Sequence, residues 1–136
     1  MLFAWLYLVS CEVIMMVKIL TVDDSQLIVS VIRNFIKKEF PQAEVITAKN
    51  GEEAVELYRK EKPDLVFLDI KMPGMDGLSA LEHIRQEFPH SKIAMCTALK
   101  EPEEEERATK AGAVAYLKKP FSKDDVVSTI REHLHL

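Results

Sequence analysis

The sequence predicts an α/β fold: a doubly wound, five-stranded parallel sheet with helices on both faces. Three observations carry this expectation. Short β-rich runs alternate with segments of helical periodicity five times between Val17 and the C-terminus, and strands that alternate with helices pair in parallel through right-handed crossovers. The third run, Leu65-Val66-Phe67-Leu68, is apolar at every position, as a strand covered on both faces must be. That run then ends on a carboxylate, Asp69, at the edge of the sheet where ligands of such folds bind. With five strands the expected order is 2-1-3-4-5, which sets the first and third side by side.

Each element has its own signal. Lys18 to Val22 is the first strand and ends in Asp23-Asp24-Ser25; Leu27, Ile28, Val31, Ile32, Phe35 and Ile36 then recur at helical spacing up to Phe40-Pro41. Glu44 to Ala48 is the second strand, Asn50-Gly51 its turn, and Ala54, Val55, Leu57 and Tyr58 the face of a helix closed by Pro63. After Asp69, Pro73 and Gly74 shape a loop into a helix from about Gly77 to Phe88, with Leu78, Leu81 and Ile84 inward and Pro89 as its stop. Ile93 to Thr97 is the fourth strand. The next helix starts near Glu101 with Pro102 in its first turn, and Glu103 to Glu106 complement its positive end. Its apolar face holds little beyond Ala108 and Ala111, so it is either a moving, partner-contacting element or simply a solvated acidic helix. Gly112 ends it and Ala113 to Leu117 form the fifth strand. Lys118-Lys119-Pro120-Phe121 then turn the chain into a helix from about Ser122, with Val126, Val127, Ile130 and Leu134 on its face.

At 136 residues, 48% hydrophobic and 29% charged, the chain matches an ordinary globular domain with one substantial core. A net charge of -4 leaves no basic footprint for direct nucleic-acid contact. Cys11 and Cys96 show neither paired nor metal-ligand spacing, which fits a reducing, cytoplasmic setting. Met1 to Val9 are almost wholly apolar, but they fall short of the roughly 20 residues of a membrane span and lack the positive start of a secretory signal. Residues 1–15 are therefore read as an extension, either an upstream translation start before Met15-Met16 or an apolar arm that packs on the domain or a second copy. Residues 16–136 form the domain proper.

The topology brings Asp23, Asp24 and Asp69 into one crevice. Three carboxylates in a partly desolvated cleft repel one another and raise their pKa values unless a cation sits among them. Hard oxygen ligands of this kind suit magnesium beside a phosphate-bearing partner. Thr97 ends the fourth strand with a hydroxyl and Lys119 follows the fifth with an ammonium, both on the same edge. With the metal they can hold the oxygens of a transferred phosphoryl group, and Asp69 is then the nucleophile that forms an aspartyl-phosphate. Each residue has a plainer reading too. Asp24 or Ser25 can serve as a helix N-cap, Thr97 as a strand residue, Lys119 as a surface lysine and Tyr116 as a core aromatic. The joint placement of these residues at neighbouring strand ends favours the chemical reading.

The runs Ile19 to Ser25, Leu68 to Gly77, Cys96-Thr97-Ala98 and Gly112 to Phe121 resemble the receiver domain of two-component response regulators, from about Met16 to the C-terminus. The resemblance implies the flavodoxin-like form of the fold. It implies a phosphoryl group passed from a sensor histidine kinase to Asp69, with Mg2+, or Mn2+ in its place, held by Asp24, Asp69 and the backbone carbonyl of Lys71 and supported through water by Asp23. It also implies phosphoryl-stabilising roles for Thr97 and Lys119 and a cis Lys119-Pro120 bond. On phosphorylation Thr97 moves toward the phosphoryl group and Tyr116 rotates inward, which changes the face of the fourth helix, fifth strand and fifth helix. Such a protein labels itself and loses the label slowly rather than turning over substrate. As a single-domain regulator, monomeric or weakly dimeric, it acts directly on a target or passes its phosphoryl group to a histidine phosphotransfer protein. An aspartate-nucleophile phosphatase needs a second aspartate two residues after the nucleophile, and here that position is Lys71.

Overall fold

The computed structural model describes residues 17–98 and 100–136. Expectations that fall on residues 1–16, including the apolar extension and Cys11, lie outside the described residues, as does Leu99. The elements are β1 (Lys18–Val22), α1 (Gln26–Glu39), β2 (Glu44–Ala48), α2 (Gly51–Glu61), β3 (Leu65–Asp69), α3 (Gly77–Glu87), β4 (Ile93–Thr97), α4 (Pro102–Lys110), β5 (Ala115–Lys118) and α5 (Lys123–Leu134). All pairings are parallel and the order is β2-β1-β3-β4-β5, as the sequence predicts.

Strand alternation sorts the core into two clusters. Leu20, Val22, Val66, Leu68, Ile93 and Met95 face α2 and α3, where Ala54, Val55, Tyr58, Leu78, Leu81 and Ile84 meet them. Ile19, Leu65, Phe67, Ala94 and Cys96 face the opposite way, onto Ile32 and Ile36 of α1 and Val126 and Ile130 of α5. β3 lies at the centre of the sheet and all five of its residues are buried, which explains its unbroken apolar run.

Helix starts are held by side chains. Ser25 Oγ accepts from the Ile28 amide, Asn50 Oδ1 from Glu53 and Asp76 Oδ1 from Ser79, at 3.4, 2.8 and 2.8 Å. Ser122 and Asp125 form a reciprocal capping box, satisfying two otherwise orphaned amides. Glu101, at the start of α4, makes no such bond.

Two local expectations are corrected. Asn50-Gly51 is the cap and first residue of α2 rather than a free-standing turn. A Cβ at position 51 would lie 2.4 Å from the Met75 carbonyl oxygen, so glycine there admits the loop after β3. The fifth strand starts at Ala115, not Ala113. Gly112, at φ +94°, reverses the chain out of α4, and the Ala113 amide donates to the Ala108 carbonyl. Residue 113 thus belongs to the helix exit, a helix-ending pattern that uses the left-handed glycine.

Candidate functional site at the carboxyl edge of the sheet

β1 and β3 are neighbours, with Val22 opposite Leu68, so Asp23 and Asp69 leave the sheet side by side. Both are buried, at 2% and 5% exposure. Asp24 is exposed. One carboxylate oxygen from each of Asp23, Asp24 and Asp69 lies within 4.8 Å of the others. Asp23 is anchored by its backbone amide to the Ala48 carbonyl at 3.2 Å and by Oδ1, which accepts from the Ser25 amide at 2.9 Å. Ser25 therefore caps α1 while its amide orients Asp23, and the plainer N-cap reading of that residue coexists with the chemical one.

Lys119 arrives from the far side. Its amide donates to the Thr97 carbonyl at 2.7 Å, its peptide bond to Pro120 is cis, and its Nζ donates to Asp23 Oδ2 at 2.6 Å and Asp69 Oδ1 at 3.0 Å. Thr97 is buried at the end of β4. Asp23, Asp24, Ser25, Asp69, Lys71, Thr97, Ala98 and Lys119 line one cleft of about 240 Å³. The structure thus brings together every site residue expected from sequence except Tyr116, which is not among the lining residues.

Tyr116 pairs with Met95 in the β4–β5 register, its ring packs on the α2–α3 cluster, and its hydroxyl is enclosed. Burial pushes that hydroxyl's pKa up, with Thr97 opposing and the acidic residues of α4 adding to it. An inward rotation of Tyr116 is expected on phosphorylation. Here the hydroxyl is enclosed while the residue as a whole is half-buried.

Burial pushes the Asp69 carboxyl up to about 6; Lys119 opposes, and the charges of Asp23 and Asp24 add to the rise. Burial also works against the charge of Lys119, but its bonds to Asp23 and Asp69 outweigh that and hold its pKa above the ordinary lysine value. Three carboxylates against one bonded ammonium leave an excess of negative charge around oxygen donors. That donor set fits a hard divalent cation, which would relieve the repulsion.

Two contributors were not singled out from sequence. A Cβ on Gly77 would lie 1.9 Å from the Asp69 carbonyl oxygen, so the first residue of α3 presses directly on the backbone of the nucleophile candidate. The signal available was a glycine placed just after the capping Asp76. Cys96 sits opposite Asp69 in the β3–β4 register. Burial pushes its thiol far up, which leaves it an inert packing group. A larger groove of about 970 Å³ runs between α3 and α4. Its Glu82, Glu103 and Glu106 are balanced by Arg85, Arg107 and Lys110, and the grouped potential metal ligands among the described residues, Asp23, Asp24 and Asp69, lie outside it.

Comparison with known proteins agrees with this geometry. The family model described as response regulator receiver domain matches residues 19–131. The chain is 40% identical over 117 residues to the chemotaxis protein CheY of Halobacterium salinarum, covering 86% of this chain and 96% of that protein. It is 38% identical over 118 residues to CheY of Bacillus subtilis, covering 87% and 98%. Among solved structures, a CheY-like receiver domain protein from Methanospirillum hungatei superposes with a TM-score of 0.82 at 32% identity, covering 88% of this chain and 94% of that one. A Borrelia burgdorferi complex of CheX, CheY, BeF3 and Mg superposes at 0.81 with 29% identity, covering 88% and 90%. Among the described residues no helix is long and apolar enough to cross a membrane.

Proposed function

The chain belongs to the response regulator receiver domain family, and from that premise we propose that it is a cytoplasmic phosphoacceptor whose Asp69 takes a phosphoryl group from a sensor histidine kinase. The observation that carries this reading is the Asp69 carboxylate, buried beside Asp23 and Asp24 and bonded by Lys119 Nζ. In the transfer, an Asp69 carboxylate oxygen forms a bond to phosphorus as the phosphorus–nitrogen bond of the donor phosphohistidine breaks, and the imidazole leaves with that electron pair.

Asp23, Asp24, Asp69 and the backbone carbonyl of Lys71 would hold Mg2+ or Mn2+. Bound there, the metal supplies charge neutralisation for the phosphoryl oxygens. Lys119 already bonds the Asp69 oxygen at 3.0 Å and turns its ammonium to a phosphoryl oxygen as the new charge builds. Thr97, buried at the same edge, offers its hydroxyl to another. Those two movements pull on β4 and β5 and so alter the α4-β5-α5 face read by a partner, a target protein or a histidine phosphotransfer protein. The Borrelia complex, in which a CheY is bound to CheX with BeF3 and Mg, supports a protein partner as the receiver of the signal.

The test is incubation with magnesium and acetyl phosphate, followed by intact mass and mapping of the label. One acid- and base-labile phosphoryl on Asp69, dependent on the metal and lost in Asp69→Asn, is the expected result. A label on another residue, or a metal-bound protein that never labels with its kinase present, overturns the assignment.

A further inference from the structure

Among the described residues, one ion pair ties the start of α4 to the phosphoacceptor loop. Glu101 holds the N-cap position yet makes no side-chain cap bond. Its carboxylate turns away to Lys71, with Oε1 3.5 Å from Nζ. Lys71 is also a lining residue of the acidic cleft, two positions after Asp69. Little else secures this end of the helix: Glu101, Pro102, Glu103, Glu105 and Glu106 are exposed. The contacts that dock α4 fall in its second half, where Ala108 is buried and Arg107 pairs with Glu82 of α3.

We propose that Lys71 and Glu101 form a latch between the phosphoacceptor loop and α4, closed in the unphosphorylated protein and opened when a phosphoryl group on Asp69 draws the Lys71 ammonium away from Glu101. The opening step rests on the phosphorylation of Asp69 proposed above; the tie itself does not. A phosphoryl group brings about two negative charges and three acceptor oxygens into the cleft that Lys71 lines, so the ammonium gains a stronger partner than one exposed carboxylate. Without Lys71, Glu101 keeps only the half-buried Glu104 of its own helix as a side-chain partner, and the first turn of α4, no longer tied to the phosphoacceptor loop, frays. The first bonded amide of the helix, Glu105 to the Glu101 carbonyl at 3.0 Å, is the one most exposed to that loss.

Hydrogen exchange of the α4 amides from Glu105 to Lys110, with the degree of labelling read by intact mass, tests this on the full chain. Wild type, Glu101→Gln and the charge reversal Lys71→Glu/Glu101→Lys are compared without phosphodonor. Wild type and Glu101→Gln are compared again after magnesium and acetyl phosphate. Unlabelled Glu101→Gln is expected to exchange about two- to five-fold faster than wild type, the range a partly exposed ion pair can contribute. The charge reversal is expected to restore slow exchange, and labelling to speed wild type to the Glu101→Gln level while adding little to that variant. Unlabelled Glu101→Gln exchanging at the wild-type rate overturns the latch. An equal acceleration of both proteins on labelling overturns its release by phosphate. Wild type that takes no label from acetyl phosphate or from its kinase overturns the phosphoacceptor reading and the release with it, and the unlabelled comparison still decides the tie.

Discussion

α3 and α4 lie on the same face of the sheet and contribute to the same core cluster, but they are built very differently. α3 has eleven residues, is capped by Asp76 and buries Gly77, Leu78, Ala80, Leu81 and Ile84. α4 has nine, carries no side-chain cap and buries Ala108 alone. The strands repeat the contrast: every residue of β3 is buried, whereas β5 has none that is fully so. The half that holds Asp69 is densely packed, which suits the fixed position a carboxylate needs to meet phosphorus in line under the reading proposed above. The half that carries Tyr116 and the acidic helix is thin, and elements that change state are drawn from the weakly held parts of a structure. The proposed phosphoacceptor and the proposed response element thus differ in how firmly packing and caps hold them.

The largest expected effect attacks the rigid half. Leu81 is wholly buried between α3 and the sheet, and truncating it leaves a cavity that the close-packed strands cannot fill. Leu81→Ala is expected to lower stability by about 3 kcal/mol, read as a lower urea midpoint at unchanged slope. A loss below about 1 kcal/mol, the scale expected for a glycine in a helix interior, would mean that α3 is no better anchored than α4, and the contrast would fail.

The next effect comes from the site itself and has the opposite sign. A carboxyl held at about 6 in the fold against an ordinary 3.8 binds protons more tightly folded than unfolded. The folded state therefore bears a penalty at neutral pH, at most about 3 kcal/mol and about 2 kcal/mol once solvent screening is allowed for, that disappears as pH falls below 6 toward 4. Asp69→Asn removes the ionisable group. It is expected to be more stable than wild type by about that amount at pH 7.5 in the presence of a chelator, with the advantage shrinking as pH drops through this window. The same protonation competes with a divalent cation, so magnesium affinity of the wild type is expected to weaken below about pH 6. Equal urea midpoints for the two proteins at pH 7.5 would show that Asp69 is well solvated and that the site stores no strain.

Much of this contrast is legible in the sequence, for a physical reason. Buried parallel strands demand unbroken apolar runs, so Leu65 to Leu68 and Ile93 to Cys96 announce themselves. Five strand–helix repeats make 2-1-3-4-5 the expected order, and with it the meeting of Asp23, Asp24 and Asp69. The thin face of α4 is equally visible as a helix with one alanine, Ala108, and four glutamates. Side-chain direction and close approach are not visible in spacing. Glutamate before proline is an unremarkable helix start, and nothing in the spacing shows that Glu101 turns to Lys71 rather than to its own helix. Gly77 reads as an ordinary helix-starting glycine until the Asp69 carbonyl is found against it. The late start of β5 depends on the left-handed exit at Gly112, which apolar Ala113 and Val114 conceal. The enclosed hydroxyl of Tyr116 depends on packing that a single aromatic letter does not record.

The smallest expected effect probes the weak half directly. Ala108 is the one fully buried residue of α4, and Ala108→Gly removes its methyl group while raising the backbone freedom of a helix with few other anchors. The expected loss is about 1 kcal/mol, well below that of Leu81→Ala, because there is little packing around α4 to lose. Labelling of Asp69 is expected to survive, since neither α3 nor the β3 loop depends on that methyl. Exchange of the α4 amides is expected to rise while that of α3 stays slow, because local opening of α4 does not require the core to open. Were α3 amides to accelerate in step with α4, the two helices would open as one unit. A phosphoryl signal at the cleft would then have to be paid for by loosening the very elements that hold Asp69 in place.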